Sequence, residues 1–197
     1  KFFHNRDNPL VFCGLGVNKF LGRLENTPLA WWQEVEIKDS VKLTFVPAQH
    51  FSGRGAFDRN TTLWGGFVLS TPTHQLYFAG DTGYGPHFRE IHDSFGEVDV
   101  ALLPIGAYKP RWFMSHVHMD PSDAVKAHRV LRAKTSVGMH FQTFPLSDEA
   151  YEDPMEELEE ALHNQSISNK NFLTLKFGEG IDIKRSLGAF QAKCQGM

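Results

Sequence analysis

Three residues whose side chains can bind a metal ion each stand just beyond an apolar segment of the sequence. They are His50, Asp81 and His140. Each apolar segment predicts a β-strand, and a sheet brings the ends of its strands to one edge, so residues distant in sequence can meet there. Two imidazoles and one carboxylate are suitable ligands for zinc. Because three donors are too few to hold two metals, the sequence predicts only part of an active site.

Each of these residues also has an ordinary structural interpretation. A single histidine at the end of a strand is more often a surface or hydrogen-bonded residue than a metal ligand. Asp81 lies within Gly80-Asp81-Thr82-Gly83, where aspartate and glycine favour a turn. Spacing alone therefore leaves both interpretations open.

The segment from His116 to Asp120 resembles the beginning of a His-x-His-x-Asp-His metal motif. The motif requires a second histidine directly after the aspartate, and Pro121 occupies that position. Asp120 is instead the expected N-cap of a helix beginning at Pro121, because aspartate caps helices and proline favours the first helical position. We therefore predict that His116 and His118 do not together bind a catalytic zinc.

The elements that position these residues are predicted from the periodicity of apolar residues. Strands are predicted at 11–16, 34–37, 41–46, 64–70, 75–79, 98–105, 135–139 and 172–176, and helices at 17–24, at 88–95 and from residues 121 and 153. Residues 64–79 are expected to form a hairpin, and residues 98–140 a βαβ unit. The last helix is expected to begin with a capping box at Asp153-Pro154-Met155-Glu156.

Composition indicates a soluble globular protein. The 197 residues are 41% hydrophobic and 22% charged, and the net charge of −3 gives no reason to expect nucleic acid as a partner. The longest apolar run, residues 100–107, is too short to cross a bilayer, and no secretory signal opens the chain. With only Cys13 and Cys194, a reducing compartment is expected. We expect a cytoplasmic protein or one held peripherally on a membrane surface.

Residues 1–187 are expected to form one domain, and 188–197 a loosely held tail. Since the first residue is Lys1 and not methionine, the natural start is expected to lie upstream.

Six sequence segments occur in an order that indicates a family. They are PAQH at 47–50, LWGG at 63–66, FAGDTGY at 78–84, PIGAYKPRWFM at 104–114, HMDP at 118–121 and HFQTF at 140–144. Over residues 12–178 the chain resembles the N-acyl-phosphatidylethanolamine-hydrolysing phospholipase D family of the metallo-β-lactamase fold. The segment at 104–114 is the longest and most specific part of this resemblance.

The resemblance implies an α/β fold: a metallo-β-lactamase-like αββα sandwich, of which this chain covers mainly the carboxy-terminal half. It also implies a site for two Zn²⁺ ions at the sheet edge. His50 matches a ligand of the first metal, Asp81 the catalytic carboxylate that bridges both metals, and His140 a ligand of the second. His118 matches a histidine on the substrate side, and Lys109 stands where an acid is expected. The family's His-x-His-x-Asp-His motif, expected before His50, is absent from the chain.

The function implied by the resemblance is a zinc-dependent phosphodiesterase. It would release an N-acylethanolamine and phosphatidic acid from an N-acyl-phosphatidylethanolamine. Such a phospholipid substrate needs an apolar groove, for which Trp112, Phe113 and Met114 are candidates, with ordinary packing as the alternative.

Two other interpretations remain open at this point. One is a hydrolase of a soluble ester, lactone or phosphodiester on the same fold. The other is an inactive fragment that lacks most metal ligands. We expect the 197-residue chain to be inactive or nearly so, unless a homodimer allows each copy to complete the other's metal site.

Overall fold

A computed structural model describes residues 9–182 of the protein. The domain boundary predicted at residue 187, the tail at 188–197 and Cys194 lie outside the described residues. In chain order the elements are β1 (Phe12–Gly14), a 3-10 helix (Val17–Phe20), β2 (Thr27–Leu29), β3 (Glu34–Lys38), β4 (Val41–Val46), β5 (Gly66–Ser70), β6 (Gln75–Phe78), α1 (His87–Phe95), β7 (Val100–Pro104), α2 (Arg111–Met114), α3 (Pro121–Val130), β8 (Thr135–Met139), α4 (Asp153–Asn164) and β9 (Phe172–Leu173).

A seven-stranded mixed sheet forms the centre of the fold, with the strand order β3-β4-β5-β6-β7-β8-β9. Strands β3 to β6 pair antiparallel with their neighbours, whereas β6 to β9 pair in parallel. Strands β4, β6, β7, β8 and β9 consequently run in one direction, and their carboxyl ends meet at one edge, here called the carboxyl edge. The predicted class, an α/β fold of metallo-β-lactamase type, agrees with this mixed sheet.

The predicted hairpin and βαβ unit are both present. Strand β5 pairs antiparallel with β6, and the turn between them is closed by a 2.9 Å hydrogen bond from the Thr71 N–H to the His74 carbonyl. Strand β7 pairs in parallel with β8 after a crossover that contains α3. Parallel neighbours require such a long connection, because a tight turn can join only antiparallel strands.

The main core lies between the sheet and helices α1, α3 and α4. Val68, Tyr77 and Leu103 point to this side and are fully buried, together with Phe88 of α1 and Val125 of α3. Alternate strand residues share a face of the sheet, so each strand contributes every second side chain to this core. Each large apolar side chain buried here contributes about 1.5–3 kcal/mol of transfer free energy.

The other side of the sheet is also apolar but is only partly covered. Its residues define what we call the open sheet face, a concave surface with a cavity of 370 Å³ lined by Phe12, Leu43, Phe67, Leu69, Leu76, Phe78 and Leu102. Phe78 is 44% exposed there. Strands with apolar residues on both sides normally lie between two layers of structure. Within the described residues, only the pair β1–β2 supplies strands outside the main sheet.

The helix ends agree with one prediction and correct another. Asp120 caps α3 as predicted, because its carboxylate accepts a 2.7 Å hydrogen bond from the Asp123 N–H. The capping box predicted for α4 is wrong: the N-cap is Glu152, which makes no side-chain cap bond. Asp153 instead accepts from the Ala150 N–H and from the Lys109 ammonium. No helix within residues 9–182 is long and apolar enough to cross a bilayer.

Two further boundaries differ from the predictions. The helix predicted at 17–24 is only the single 3-10 turn Val17–Phe20, and Gly22 follows with a φ of 63° that does not continue a right-handed helix. The strand predicted at 172–176 ends at Leu173. Short elements are the least certain part of any prediction from periodicity, because few residues define the pattern.

The loop between β7 and α2 is fixed to helix α4 by charge. The Lys109 ammonium lies 2.6 Å from the Asp153 carboxylate and 2.9 Å from that of Glu157. The Glu149 carboxylate accepts hydrogen bonds from the N–H groups of Ala107 and Lys109. The base at position 109, where an acid was expected, is thus matched by acids on and before α4.

Candidate functional site

His50 lies beyond the end of β4 and is held by its neighbour. Its Nδ1 is 2.9 Å from the Phe51 carbonyl oxygen, and its ring stacks on the Phe51 ring at a centroid distance of 4.7 Å. A carbonyl can only accept, so Nδ1 carries the proton in this hydrogen bond. With the proton on Nδ1, the neutral form of this ring presents an unprotonated Nε2, which is the form that coordinates a metal.

Asp81 follows β6 through a turn that requires glycine. Gly80 has a φ of 65°, and a Cβ at that residue would lie 2.9 Å from the Gly65 carbonyl oxygen. The turn directs the chain out of the sheet, and the Asp81 side chain is 49% exposed at the carboxyl edge. The turn interpretation of Asp81 and its use as a polar ligand are therefore compatible.

His140 follows β8 in an unusual backbone conformation. Its φ of 61° lies in the left-handed region, which is uncommon for residues with a side chain. Its Nε2 lies 3.5 Å from the Asp81 carboxylate, and its side chain is 25% exposed. Backbone strain of this kind persists where the surrounding structure fixes it, and such residues occur frequently at functional sites.

His118 lies between the other two histidines. Its ring centroid is 5.2 Å from that of His50 and 5.4 Å from that of His140. We call His50, Asp81, His118 and His140 the polar cluster. Residues from four separate parts of the chain thus meet at the carboxyl edge, as the placement of His50, Asp81 and His140 beyond strand ends predicts.

Arg111 holds the segment that carries His118. Its guanidinium donates to the His118 carbonyl at 2.9 Å and to the Asp123 carboxylate at 2.6 Å, and its Nε lies 3.1 Å from Asp120. A planar guanidinium is suited to bridging several acceptors with fixed geometry. His116 has a different role here, because its carbonyl oxygen accepts a hydrogen bond from the Gln49 side chain.

The environment of His118 favours its neutral form. Burial is the main cause that lowers the pKa of His118 to about 4, with smaller contributions from the neighbouring His50 and His140 and against the opposing effect of Asp81. A neutral imidazole can accept or donate one hydrogen bond at each nitrogen. The His118 ring is therefore uncharged at neutral pH.

The donor chemistry of the cluster fits a divalent metal, but the donors are not arranged around a single ion. The buried Nδ1 atoms of His118 and His140 have no hydrogen-bonding partner among the described residues, and such atoms are rare unless another group completes the site. His50, Asp81 and His140 supply nitrogen and oxygen donors that suit Zn²⁺. However, no three histidine, cysteine, aspartate or glutamate side chains within residues 9–182 are arranged to hold an ion.

The predicted substrate groove residues lie on the short helix α2. Trp112 is 81% exposed and Phe113 is 63% exposed, and their rings contact each other at a centroid distance of 5.7 Å. Met114 is half-buried. Packing in the core, the alternative interpretation, does not account for the two exposed aromatic rings.

A hydrogen-bonded layer below the cluster was not predicted from the sequence. The Thr82 hydroxyl, fully buried, accepts from the Gln49 N–H at 2.9 Å and lies 3.2 Å from Nε2 of the buried His87. Gly83 and Gln49 are also joined by a backbone hydrogen bond. This layer ties the segment before His50 to the segment after Asp81. In the sequence, Gln49 and Thr82 are marked only by their positions next to His50 and Asp81, within the segments PAQH and FAGDTGY.

Comparison with known proteins is consistent with this geometry. Residues 7–141 match the family described as the Beta-lactamase superfamily domain. The chain is 35% identical over 188 residues to N-acyl-phosphatidylethanolamine-hydrolyzing phospholipase D 1 of Caenorhabditis elegans, a match that covers 87% of this chain and 53% of that protein. It is 33% identical over 168 residues to the mitochondrial N-acyl-phosphatidylethanolamine-hydrolyzing phospholipase D of Saccharomyces cerevisiae, which covers 81% of this chain and 36% of that protein.

The chain thus spans about half or less of the length of these two relatives. Among solved structures, a metallo hydrolase from Ignicoccus hospitalis has a TM-score of 0.60 and 21% identity, and the match covers 84% of this chain and 65% of that chain. A likeness at this level of identity shows the shared fold.

Proposed function

The chain belongs to the family of the beta-lactamase superfamily domain. We propose that it is part of a zinc-dependent phosphodiesterase that hydrolyses N-acyl-phosphatidylethanolamine-type phospholipids. The observation that carries this proposal is the convergence of His50, Asp81, His118 and His140 at the carboxyl edge. The two relatives named for this reaction, from a nematode and a yeast, support the choice of substrate.

His50, Asp81 and His140 would hold the metal, with Asp81 as the charged ligand. Two divalent cations supply a hydroxide nucleophile near neutral pH and neutralise charge on a phosphodiester. In the overall reaction, a water oxygen bonds to phosphorus and the phosphorus–oxygen bond to the N-acylethanolamine breaks. The products are the alcohol and phosphatidic acid.

The residues of the chain have separate roles in this proposal. The Phe51 carbonyl fixes the tautomer of His50. His118, neutral and between two candidate ligands, would face the substrate phosphate. Arg111 is a positioning residue, since it binds the His118 carbonyl and does not belong to the cluster.

We infer that the remaining metal ligands come from polypeptide outside these 197 residues. Within the described residues no three such donors are arranged to hold an ion, and the three candidate ligands are too few for two metals. The open sheet face is the second indication, since an apolar sheet surface normally packs against a further layer. A longer version of this chain or a second protein molecule could supply both the missing metal ligands and the layer that covers the open sheet face.

The test is an assay of N-acylethanolamine release from N-acyl-phosphatidylethanolamine in detergent micelles with added zinc. We expect turnover from a version extended upstream through a His-x-His-x-Asp-His segment, and little or none from the 197-residue chain. Asp81→Asn in the extended protein removes a charged ligand while keeping its shape, so activity should fall at least roughly a hundredfold, as when a charge-stabilising group is lost. Asp93→Asn, an exposed carboxylate on α1, is the matched control.

Two results would contradict the proposal. Full turnover by the 197-residue chain alone would show that no further ligands are needed. Hydrolysis of soluble esters or phosphodiesters by the extended protein, without release from the phospholipid, would favour the other class of substrate.

A further inference from the structure

A cavity of 690 Å³ is lined by His140 and not by Asp81. Its walls come from three parts of the chain: residues 138–143 at the end of β8 and beyond it, the region of α4, and residues 174–177 after β9. The apolar walls are Met139, Phe141, Met155, Leu175 and Phe177. We call this the β8–β9 cavity. Its volume is in the range that binds small organic ligands.

The β8–β9 cavity adjoins the polar cluster, because His140 belongs to both. The cluster follows the carboxyl edge from β4 through β6 to β8, and the cavity occupies the next position, beyond β8 and β9. In open α/β sheets ligands bind outside the carboxyl ends of the strands. If the polar group of a ligand contacts the polar cluster, the part of the ligand attached to that group can therefore lie in the cavity.

The chemistry of the cavity suits a flexible hydrocarbon chain. Two of the apolar walls are methionines, whose unbranched side chains adapt to ligands of irregular shape. Phe177 is 84% exposed and Tyr151 is 61% exposed, so aromatic surface at this cavity also reaches solvent. Lys176 contributes one exposed cation, which is compatible with an anionic group on the same ligand.

The exposed pair Trp112 and Phe113 is separate from this cavity. Neither residue lines it, and both lie on α2, a helix of four residues that follows β7. The geometry thus offers a largely apolar cavity next to His140 and an open aromatic surface elsewhere.

We propose that the β8–β9 cavity binds a hydrocarbon chain of the substrate while the phosphate lies at the polar cluster. This inference rests on the proposed function in taking the substrate to be a lipid phosphodiester. It assigns the subsite for the hydrocarbon chain to the cavity walls beside His140, and not to Trp112 and Phe113 on α2.

The test is calorimetric binding of butyl, octyl and dodecyl phosphate to the 197-residue chain, each below its micelle concentration. We expect affinity to rise up to about fourfold for each methylene group buried, until the chain fills the cavity. Leu175→Trp, which fills the cavity, and Phe177→Ser, which removes an exposed apolar wall, should each weaken dodecyl phosphate binding about tenfold and leave butyl phosphate binding nearly unchanged. Thermal unfolding of both variants checks that they fold.

Matched controls separate this cavity from the other apolar surfaces. Phe57 is fully exposed and outside the cavity, so Phe57→Ser should bind dodecyl phosphate like the parent chain. Loss of binding in Phe78→Ser on the open sheet face, or in Trp112→Ala, with normal binding in Leu175→Trp, would overturn the inference. So would affinity that does not depend on chain length.

The binding measurement does not depend on turnover. If the alkyl phosphates bind as expected but the extended protein releases no N-acylethanolamine, the cavity assignment is supported and the proposed substrate is wrong.

Discussion

At the scale of single residues, the position of His140 depends on a neighbour that has no side chain. A Cβ at Gly106 would collide with the His140 carbonyl oxygen and lie 3.1 Å from Cα and Cβ of Phe141. His140 also has a φ of 61°, so its backbone has few alternative conformations. The loop after β7 and the residue after β8 are thus packed backbone to backbone.

Gly106→Ala should therefore destabilise the protein. Forcing a methyl group into this contact should cost about 1–3 kcal/mol of unfolding free energy, measured by urea denaturation. Gly180→Ala is the matched control, because a Cβ there meets no atom within 4 Å, and its effect should stay within about 0.5 kcal/mol. Equal stability of the two variants would show that the contact is not as close as described.

His87 predicts a dependence of stability on pH. Burial lowers the pKa of His87 to about 4, whereas an unfolded histidine titrates near 6.5. Between these values the unfolded state binds more protons, so stability is fully present above pH ~6.5 and is lost as the pH falls toward ~4. For this buried group the loss should approach about 3 kcal/mol across that window.

Urea denaturation between pH 7 and 4 checks the role of His87. His87→Gln should flatten the fall in unfolding free energy, even if it lowers stability throughout by disturbing the contact with Thr82. His163→Gln replaces an exposed histidine in the last turn of α4 and should keep the slope of the parent chain. A parallel fall in all three proteins would assign the acid sensitivity to other groups.

Much of the site's placement could be predicted from residues alone, and some could not. His50, Asp81 and His140 each follow an apolar run, and that pattern is sufficient to predict a shared sheet edge. The partners of Thr82 and Arg111 could not be predicted, because their contacts join segments that only the folded sheet brings together. Local patterns do not encode which distant backbone group a buried hydroxyl or guanidinium meets.

At the scale of elements, the start of α3 combines a cap with an ion pair. The Asp120 carboxylate accepts from the Asp123 N–H and also lies 3.1 Å from Arg111 Nε. Asp120→Ala should lower the unfolding free energy by about 1 kcal/mol through loss of the cap. Asp120→Asn keeps a capping oxygen, so its loss should be smaller, which thermal and urea unfolding would measure. An equal loss in the two variants would mean that the ion pair with Arg111, which both substitutions remove, dominates over the cap.

The two predicted helix starts show why one sequence pattern was reliable and the other was not. At α3, the cap and the proline are consecutive and act on their own helix. At α4, the same residue types are present, but the Asp153 carboxylate is paired with Lys109, 44 positions away in sequence. A charged partner from another element competes with a local cap, and the sequence does not reveal that partner.

At the scale of the whole molecule, the open sheet face should make the 197-residue chain associate with itself. An exposed apolar surface of this kind is typical of interaction sites and of proteins prone to aggregation. Sedimentation velocity should show a rising average mass with concentration. Phe78→Ser should weaken self-association about tenfold, because it removes an aromatic side chain at the centre of an apolar interface.

Phe57→Ser again provides the comparison, since Phe57 is exposed but lies outside the open sheet face. A monomer at all concentrations, or equal effects of the two substitutions, would show that this surface does not drive association.

The turn between β5 and β6 has a practical consequence. Strand β6 carries Asp81 toward the carboxyl edge, so the turn at Thr71-Pro72-Thr73-His74 lies at the opposite end of the strand from the polar cluster. Exposed turns of small and polar residues accept inserted sequence more readily than other sites. An epitope tag or a fluorescent reporter placed at this turn would label the protein at a distance from its chemistry, whereas the same insertion after β8 would fall within it.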